Sequence, residues 1–175
     1  MKKLIFAAIA LVAFSTHAKD WTPSYQNDEM RGTAQKFLTI DSENSADFDF
    51  PYNGGSELSI VLRSKKTTLK KGQSPEDLMP TEALLLISKG QFLCNSYDGC
   101  HVSVKFDQDK IKTYSMNEAA DGSADVIFFS APSGFIKNIK SHKQVIIEAE
   151  FYQEGKKQFK FNIDNYPGKL PRANL

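Results

Sequence analysis

The sequence is poor in the side chains from which metal sites and nucleophilic active sites are built. Its 175 residues include only two cysteines and three histidines, which leaves little material for a tetrahedral metal site. No G-x-S-x-G, H-E-x-x-H or G-x-x-x-x-G-K-S/T motif occurs. The sequence also lacks a large excess of positive or negative side chains, because it has 22 Lys and Arg against 21 Asp and Glu. We therefore expect no metal, no cofactor and no nucleic-acid partner.

Long hydrophobic runs are lacking except at the N-terminus. Residues 1–18 combine a positive start, an eleven-residue apolar run from Leu4 to Phe14 and a small residue at Ala18. This pattern is typical of a secretory signal peptide with cleavage before Lys19. The run falls short of the roughly 20 apolar residues that span a bilayer, and an uncleaved N-terminal anchor is the alternative. We predict a periplasmic or secreted protein with no transmembrane segment after cleavage.

The mature chain would be a single domain, residues 19–175. It has 157 residues, and the loss of Lys2 and Lys3 leaves 20 basic against 21 acidic side chains, a net charge of −1. A domain of this size buries about 70% of its unfolded surface, which is enough for one core.

Cys94 and Cys100 flank a turn-forming segment, Asn-Ser-Tyr-Asp-Gly. Because disulfides persist in exported proteins, we predict that these cysteines form a disulfide that closes the loop of a β-hairpin. Their C-x5-C spacing differs from the C-x-x-C of redox-active pairs. Tyr97 is a candidate binding residue, because the disulfide would hold it rigidly at the hairpin tip. The alternative is a tyrosine folded back onto the sheet.

Strand-like segments dominate the rest of the chain. They cover residues 33–40, 46–50, 58–63, 83–88, 102–106, 110–116, 125–130, 145–152 and 159–163. Residues 21–32 have no clear period and are expected to lie against the domain as an N-terminal segment. The pattern predicts a mainly β fold, an antiparallel β-sandwich or flattened barrel with one short helix near 133–142.

Residues 64–82 interrupt the strand pattern with lysines, Gly72, Pro75 and Pro80. We interpret them as a long polar loop, either a solvated connection or a basic surface for an anionic partner. The candidate binding residues of this loop are Lys65, Lys66, Lys70 and Lys71.

In residues 133–142 the apolar period becomes that of a helix, with Phe135, Ile136 and Ile139 on one face. Ser133 is the expected N-cap. Lysines on the outer side are a second candidate binding surface, with ordinary solvation as the alternative. They are Lys137, Lys140 and Lys143.

The end of the chain predicts a long antiparallel hairpin, because residues 145–152 and 159–163 both alternate. We place Glu148 and Glu150 on its polar face, near Lys160 across the pair. Paired carboxylates on one strand face, as glycoside hydrolysis requires, also occur at Asp47 and Asp49.

The remaining candidates are two histidines and a set of aromatic side chains. We expect His101 to face solvent and His142 to lie at the helix end, where a cation suits the helix dipole. Amphipathic aromatic side chains are expected to cluster at a surface, since such rings anchor many binding sites. They are Trp21, Tyr25, Tyr52, Tyr97, Tyr114, Tyr152 and Tyr166.

Several motifs along the chain carry a family resemblance. They are Asp28-Glu29-Met30-Arg31-Gly32, the run from Phe48 to Ser56, Lys89-Gly90-Gln91-Phe92, Cys94 with Gly99-Cys100, and the run from Ile147 to Gly155. The chain resembles a family of small exported bacterial proteins of unknown function. The resemblance implies a secreted β-rich domain and supplies no catalytic residues. A looser similarity to invasion-associated locus B proteins rests on Gly99-Cys100, the short basic helix and the closing hairpin.

From these observations we expect a non-catalytic interaction module that binds a protein or an envelope component. One alternative is an envelope-directed hydrolase that uses surface carboxylates. Another is a small-molecule carrier, which requires an apolar cavity of roughly 300 Å³ or more inside the sandwich.

Overall fold

The computed structural model describes residues 19–94 and 99–167, and it is mainly β, as predicted. The strands are β1 Thr22–Asp28, β2 Thr33–Asp41, β3 Ala46–Phe48, β4 Gly54–Ser56, β5 Leu58–Arg63, β6 Thr67–Thr68, β7 Glu82–Ile87, β8 Cys100–Phe106, β9 Lys112–Glu118, β10 Val126–Phe129, β11 Gln144–Phe151 and β12 Gly155–Asn162. The helical elements of these ranges are α1, Pro132–Ser141, and a 3-10 helix, Pro75–Asp77. Within these ranges, no helix has both the length and the apolar character that a membrane span requires. The predicted signal peptide, residues 1–18, and Tyr97 lie outside the described residues.

One antiparallel sheet contains ten of these strands. Its order is β1-β2-β5-β7-β10-β9-β8-β11-β12, with β6 also paired to β2, while β3 and β4 form a separate small hairpin. The sheet curls until β12 meets the chain that leaves β2, where Glu43 N–H donates to the Lys160 carbonyl at 2.8 Å. The Asn44 side chain accepts from Lys160 N–H at 2.8 Å and donates to the Gln158 carbonyl at 3.0 Å. These contacts agree with the predicted sandwich or flattened barrel.

The closing hairpin lines the core with alternating side chains. Val145 lies opposite Phe161 and Ile147 opposite Phe159, and all four are buried. Because side chains alternate between the two faces of a strand, the intervening polar residues face outward. The predicted hairpin is therefore confirmed.

The register of this hairpin differs from the expectation. Lys160 lies opposite Ile146, whereas Glu148 faces Gln158 and Glu150 faces Lys156. The turn that joins β11 to β12 sets this register. Glu148 is therefore a diagonal neighbour of Lys160 on the same face of the hairpin, as expected, whereas the placement of Glu150 near Lys160 is wrong.

Helix α1 packs its apolar face onto the core, as its sequence period predicts. The Phe135 ring stacks on Phe129 at 4.0 Å between centroids and lies 5.8 Å from Phe106. The expected N-cap is wrong, because Ala131 is the N-cap and Pro132 takes the first helical position. Proline fits there because the first helical N–H has no partner within the helix. Ser133 therefore lies within the first turn.

Residues 22–28 form a regular edge strand, which the sequence did not indicate. β1 pairs with β2 over its full length, from Thr22 opposite Thr39 to Asp28 opposite Thr33. Most of its side chains are exposed, so no hydrophobic alternation marks the strand. Pro23 is compatible with this position because an edge strand has one unpaired side.

The predicted strand over residues 46–50 is shorter in the structure. β3 ends at Phe48, which is buried. Phe50 lies in the following turn, where Tyr52 N–H donates to the Asp49 carbonyl at 2.9 Å. The turn places Phe50 at the surface, with 82% of its area exposed.

The 64–82 connection is folded onto β2. Ser64 is buried, and its hydroxyl accepts from Lys36 N–H at 3.0 Å. β6 then pairs with the start of β2, and Leu78 inserts into the interior. Thr81 N–H donates to the Arg63 carbonyl at 2.9 Å. The connection is thus an interrupted continuation of β5 followed by a 3-10 turn.

Cys94 and Cys100 form the predicted disulfide, but the hairpin around it is wrong. β8, which begins at Cys100, has β9 on one edge and β11 on the other. The chain before Cys94 also runs along β11, because Phe92 bridges Phe151. The disulfide therefore links two segments, the chain at Phe92–Cys94 and β8, that both pair with β11.

Candidate functional site

Two turns that are distant in sequence meet at the surface and form a groove, which we call the aromatic groove. Its volume is about 280 Å³. One side comes from the turn after β3 and the other from the turn between β11 and β12. The lining residues are Asp49, Phe50, Pro51, Tyr52, Gln91, Tyr152, Gln153 and Glu154.

Hydrogen bonds hold the two sides of the aromatic groove together. Asp49 N–H donates to Glu154 Oε1 at 2.7 Å, and Glu154 also pairs with Lys157 at 3.5 Å. Tyr152 N–H donates to the Gln91 carbonyl at 2.9 Å. These bonds connect three separate chain segments, so the shape of the groove is set before any ligand arrives.

Buried rings support the aromatic groove from the core side. The Phe151 ring lies 5.1 Å from Phe48 and 5.0 Å from Phe92. Phe48 precedes the first turn, and Phe151 precedes the second. Because close-packed interiors resist deformation, this cluster fixes the position from which each turn departs.

The rings at the rim of the aromatic groove are open to solvent. Phe50 is 82% exposed and Tyr152 is 52% exposed. The amides of Gln91 and Gln153 supply donors and acceptors among these rings. Such an arrangement can stack on an apolar face of a ligand and hydrogen-bond its polar edge.

A second groove, which we call the basic groove, lies between the end of the 64–82 connection and α1. Its volume is about 360 Å³. Two of the predicted lysines, Lys137 and Lys140, line it together. The full lining is Pro80, Thr81, Ser133, Ile136, Lys137 and Lys140.

The remaining predicted lysines do not join the basic groove. Lys65, Lys70, Lys71 and Lys143 are exposed. Lys66 Nζ lies 2.8 Å from Asp28 Oδ2, and this hydrogen bond lowers the pKa of the Asp28 carboxyl below its ordinary value. Lys66 therefore ties the connection to the end of β1.

A shallow depression on the outer face of β11 contains two of the predicted carboxylates. It has a volume of about 270 Å³ and includes His101, Glu148, Glu150 and Lys156. Glu148 Oε2 accepts from Gln158 Nε2 at 2.7 Å. The exposed position of His101 agrees with the prediction. Across residues 19–94 and 99–167, no three His, Cys, Asp or Glu side chains form a group suited to a metal ion.

His142 lies at the C-terminal end of α1, as predicted. Its Nδ1 is 2.9 Å from the Asn138 carbonyl, and its Nε2 is 3.3 Å from Asp109 Oδ2. The ring also lies 5.1 Å from the Phe106 ring. These contacts hold the His142 side chain against the C-terminal end of α1.

The predicted aromatic cluster is divided between surface and core. Tyr52 and Tyr152 share the aromatic groove, whereas Trp21 and Tyr166 are buried edge to face at 5.3 Å. Tyr114 packs on Phe129 at 5.6 Å. A single surface cluster of all these side chains is therefore wrong.

Sequence reasoning missed Phe50 as an exposed groove residue. The signal was present in Pro51 and in the Asn53-Gly54 pair, which favour a turn immediately after Phe50. The partner turn at Tyr152 lies about a hundred residues later, so no local pattern connects the two.

Comparison of the chain with protein-family models, with curated proteins and with solved structures found no match.

Proposed function

We propose that the protein is an exported, non-catalytic binding module that engages a protein or an envelope component through the aromatic groove. The observation that carries the proposal is the exposure of Phe50 and Tyr152 on two turns that are held together by a hydrogen bond. Large apolar side chains on an ordered surface mark interaction sites, and a preformed groove reduces the entropy lost on binding. The resemblance to small exported bacterial proteins agrees with this proposal.

The Glu154 carboxylate of the aromatic groove supports binding over catalysis. Glu154 accepts from Asp49 N–H and pairs with Lys157, so its carboxylate maintains the groove. A general acid or base needs a carboxyl free to exchange a proton with a substrate. Glu154 is instead committed to holding the two turns together.

The experiment places a photo-crosslinking amino acid at Phe50 of the full-length protein in bacterial cells. We expect an adduct from the periplasmic or secreted fraction, and we expect Tyr152→Ala to reduce its yield. A matched crosslinker at Tyr25, which is exposed on β1, should not give the same adduct. Equal adducts from both positions, or none from Phe50, would overturn the proposal.

The envelope-directed hydrolase is a second candidate, favoured by the depression that brings Glu148 and Glu150 beside His101. Purified protein would be incubated with envelope glycans and peptides, and the products would be separated by mass. Turnover that disappears in the double substitution Glu148→Gln with Glu150→Gln would support the hydrolase over the binding module.

A further inference from the structure

We infer that the basic groove is a binding site for a small amphipathic carboxylate, with one anionic head and an unbranched apolar chain. This site is separate from the aromatic groove and does not depend on the function proposed for it. The inference rests on the order in which hydroxyl, apolar and cationic side chains follow one another along α1.

One face of α1 supplies most of the basic groove. Ser133, Ile136, Lys137 and Lys140 have the spacing i, i+3, i+4 and i+7 that places residues on one side of a helix. These seven steps span about 10 Å along the helix axis. The two lysines are at the C-terminal end of this stretch, so the groove has one cationic end.

The floor of the basic groove is apolar. Ile136 is nearly fully buried beneath it, and Pro80 forms the opposite wall. Met79, the residue before Pro80, is 62% exposed and extends the apolar surface of the connection. A hydrocarbon chain would cover the apolar floor formed by Ile136 and Pro80, while the two lysines would bind its anionic head.

The cationic end is not neutralised by nearby acids. Helix α1 contains no acidic residue, and none lines the groove. Glu82, the acid that follows Thr81, is paired with Arg63 at 2.6 Å. In the described part of the chain, neither Lys137 nor Lys140 has an ion pair with a carboxylate.

The two lysines can converge on a single anionic group. Side chains three residues apart on a helix have their Cβ atoms about 5–6 Å from one another. Lys140 Nζ lies 5.9 Å from the centre of the Tyr166 ring, a cation–π distance that restrains one of the two ammonium groups. A carboxylate at this end would receive hydrogen bonds from both.

The test titrates purified protein, spanning residues 19–175, with dodecanoate below its micelle concentration and measures binding calorimetrically. We expect saturable binding that octanoate reproduces more weakly, by up to about fourfold for each methylene lost from the apolar strip. Methyl dodecanoate, which has the same chain without the charge, should bind at least about fivefold more weakly.

Charge reversal locates the site. The pair Lys137→Glu with Lys140→Glu should weaken dodecanoate binding by about tenfold or more. The matched pair Lys143→Glu with Lys160→Glu makes the same change in net charge outside the groove and should leave binding intact. Phe50→Ala should also leave it intact, which separates this inference from the aromatic groove. Lys137, Lys143, Lys160 and Phe50 are exposed and Lys140 is half-buried, so circular dichroism checks the fold of each variant.

Four outcomes would overturn the inference. Absence of saturable binding would exclude the site. Equal affinity for the methyl ester would show an apolar contact that does not use the lysines. Equal losses in the two charge-reversal pairs would show a general charge effect, and loss only with Phe50→Ala would move the ligand to the aromatic groove.

Discussion

At the scale of single residues, Gly90 permits a close contact that no other amino acid would allow. Its φ of +112° is in the region that favours glycine, and a Cβ placed there would lie 2.2 Å from Phe48 Cε2. The Phe48 ring cannot retreat easily, because it packs on Phe151 in the buried aromatic cluster. Gly90 thus sets how closely the chain after β7 approaches the core.

We predict that Gly90→Ala lowers the free energy of unfolding by about 3 kcal/mol, because overpacking and the positive φ both oppose the new methyl group. Urea denaturation measures the loss. Gly122→Ala is the matched control, since its φ is +79° but no atom lies within 4 Å of the added Cβ. It should cost about 1–2 kcal/mol. Equal losses at the two glycines would contradict the role assigned to the Phe48 contact.

We predict that Tyr166 makes the folding stability of the protein sensitive to alkaline pH. Burial beside Trp21 raises the pKa of its phenol above 10.0, because an apolar site disfavours the phenolate. The native protein therefore holds this proton more tightly than the unfolded chain does. The resulting stability is complete below pH 10 and is lost as the pH rises through the raised native pKa.

Tyr166→Phe removes the ionisable group, so we expect a smaller decline in the free energy of unfolding between about pH 9 and 11. Urea denaturation at several pH values would measure this decline. Tyr25→Phe, at an exposed position on β1, should leave the wild-type pH dependence unchanged. A decline of the same size in both variants would show that other groups cause it.

At the scale of elements, two strands of this fold are interrupted where their sequence patterns break. The continuation of β5 separates at Ser64 and resumes as β6 on the same neighbour, β2. The chain from Phe92 separates from β11 and returns to it as β8. Sequence periodicity located the regular parts of these strands, but the shared neighbour became visible only in the sheet.

The disulfide stabilises the second interruption. We predict that Cys94→Ala with Cys100→Ala lowers the free energy of unfolding by about 2–3 kcal/mol, because the open loop gains entropy in the unfolded chain. Urea denaturation with and without a reductant tests this. The reduced wild-type protein should match the double variant, and the variant should not respond to reductant. Unchanged stability of the wild type after reduction would contradict the prediction.

At the scale of the whole molecule, a few hydrogen bonds join β12 to the chain after β2. Asn44 makes two of them, and it joins residues that are more than a hundred positions apart. These bonds cover part of the outer edge of β12, which would otherwise be a template for aggregation.

We predict that Asn44→Ala lowers the free energy of unfolding by about 2 kcal/mol, since two hydrogen bonds are lost. Hydrogen exchange should accelerate at the Lys160 amide in particular. Asn117→Ala, which removes one exposed bond to Ser130, should change stability by less than about 0.5 kcal/mol. Unaltered exchange in β12 after Asn44→Ala would show that the contact of β12 with the chain after β2 does not depend on this side chain.

The candidate sites follow the same division between local and long-range information. The spacing of Lys137 and Lys140 on a helix was readable locally, and both lysines line the basic groove. The wall contributed by Pro80 depends on how the 64–82 connection folds back over β2. The aromatic groove was even harder to predict from the sequence, because Phe50 was assigned to a strand and Tyr152 belongs to a distant turn.

The sequence by itself determined the mainly β class, the position of α1, the closing hairpin and the disulfide pair. Each depends on periodicity or spacing within about twenty residues, where backbone geometry limits the choices. The predictions of export and of the bacterial family rest on sequence alone. Only the tertiary structure decided the strand register, the contact of β12 with the chain after β2, and the two grooves. These depend on which distant segments pack together, and the free energy that selects that packing is shared across the whole core.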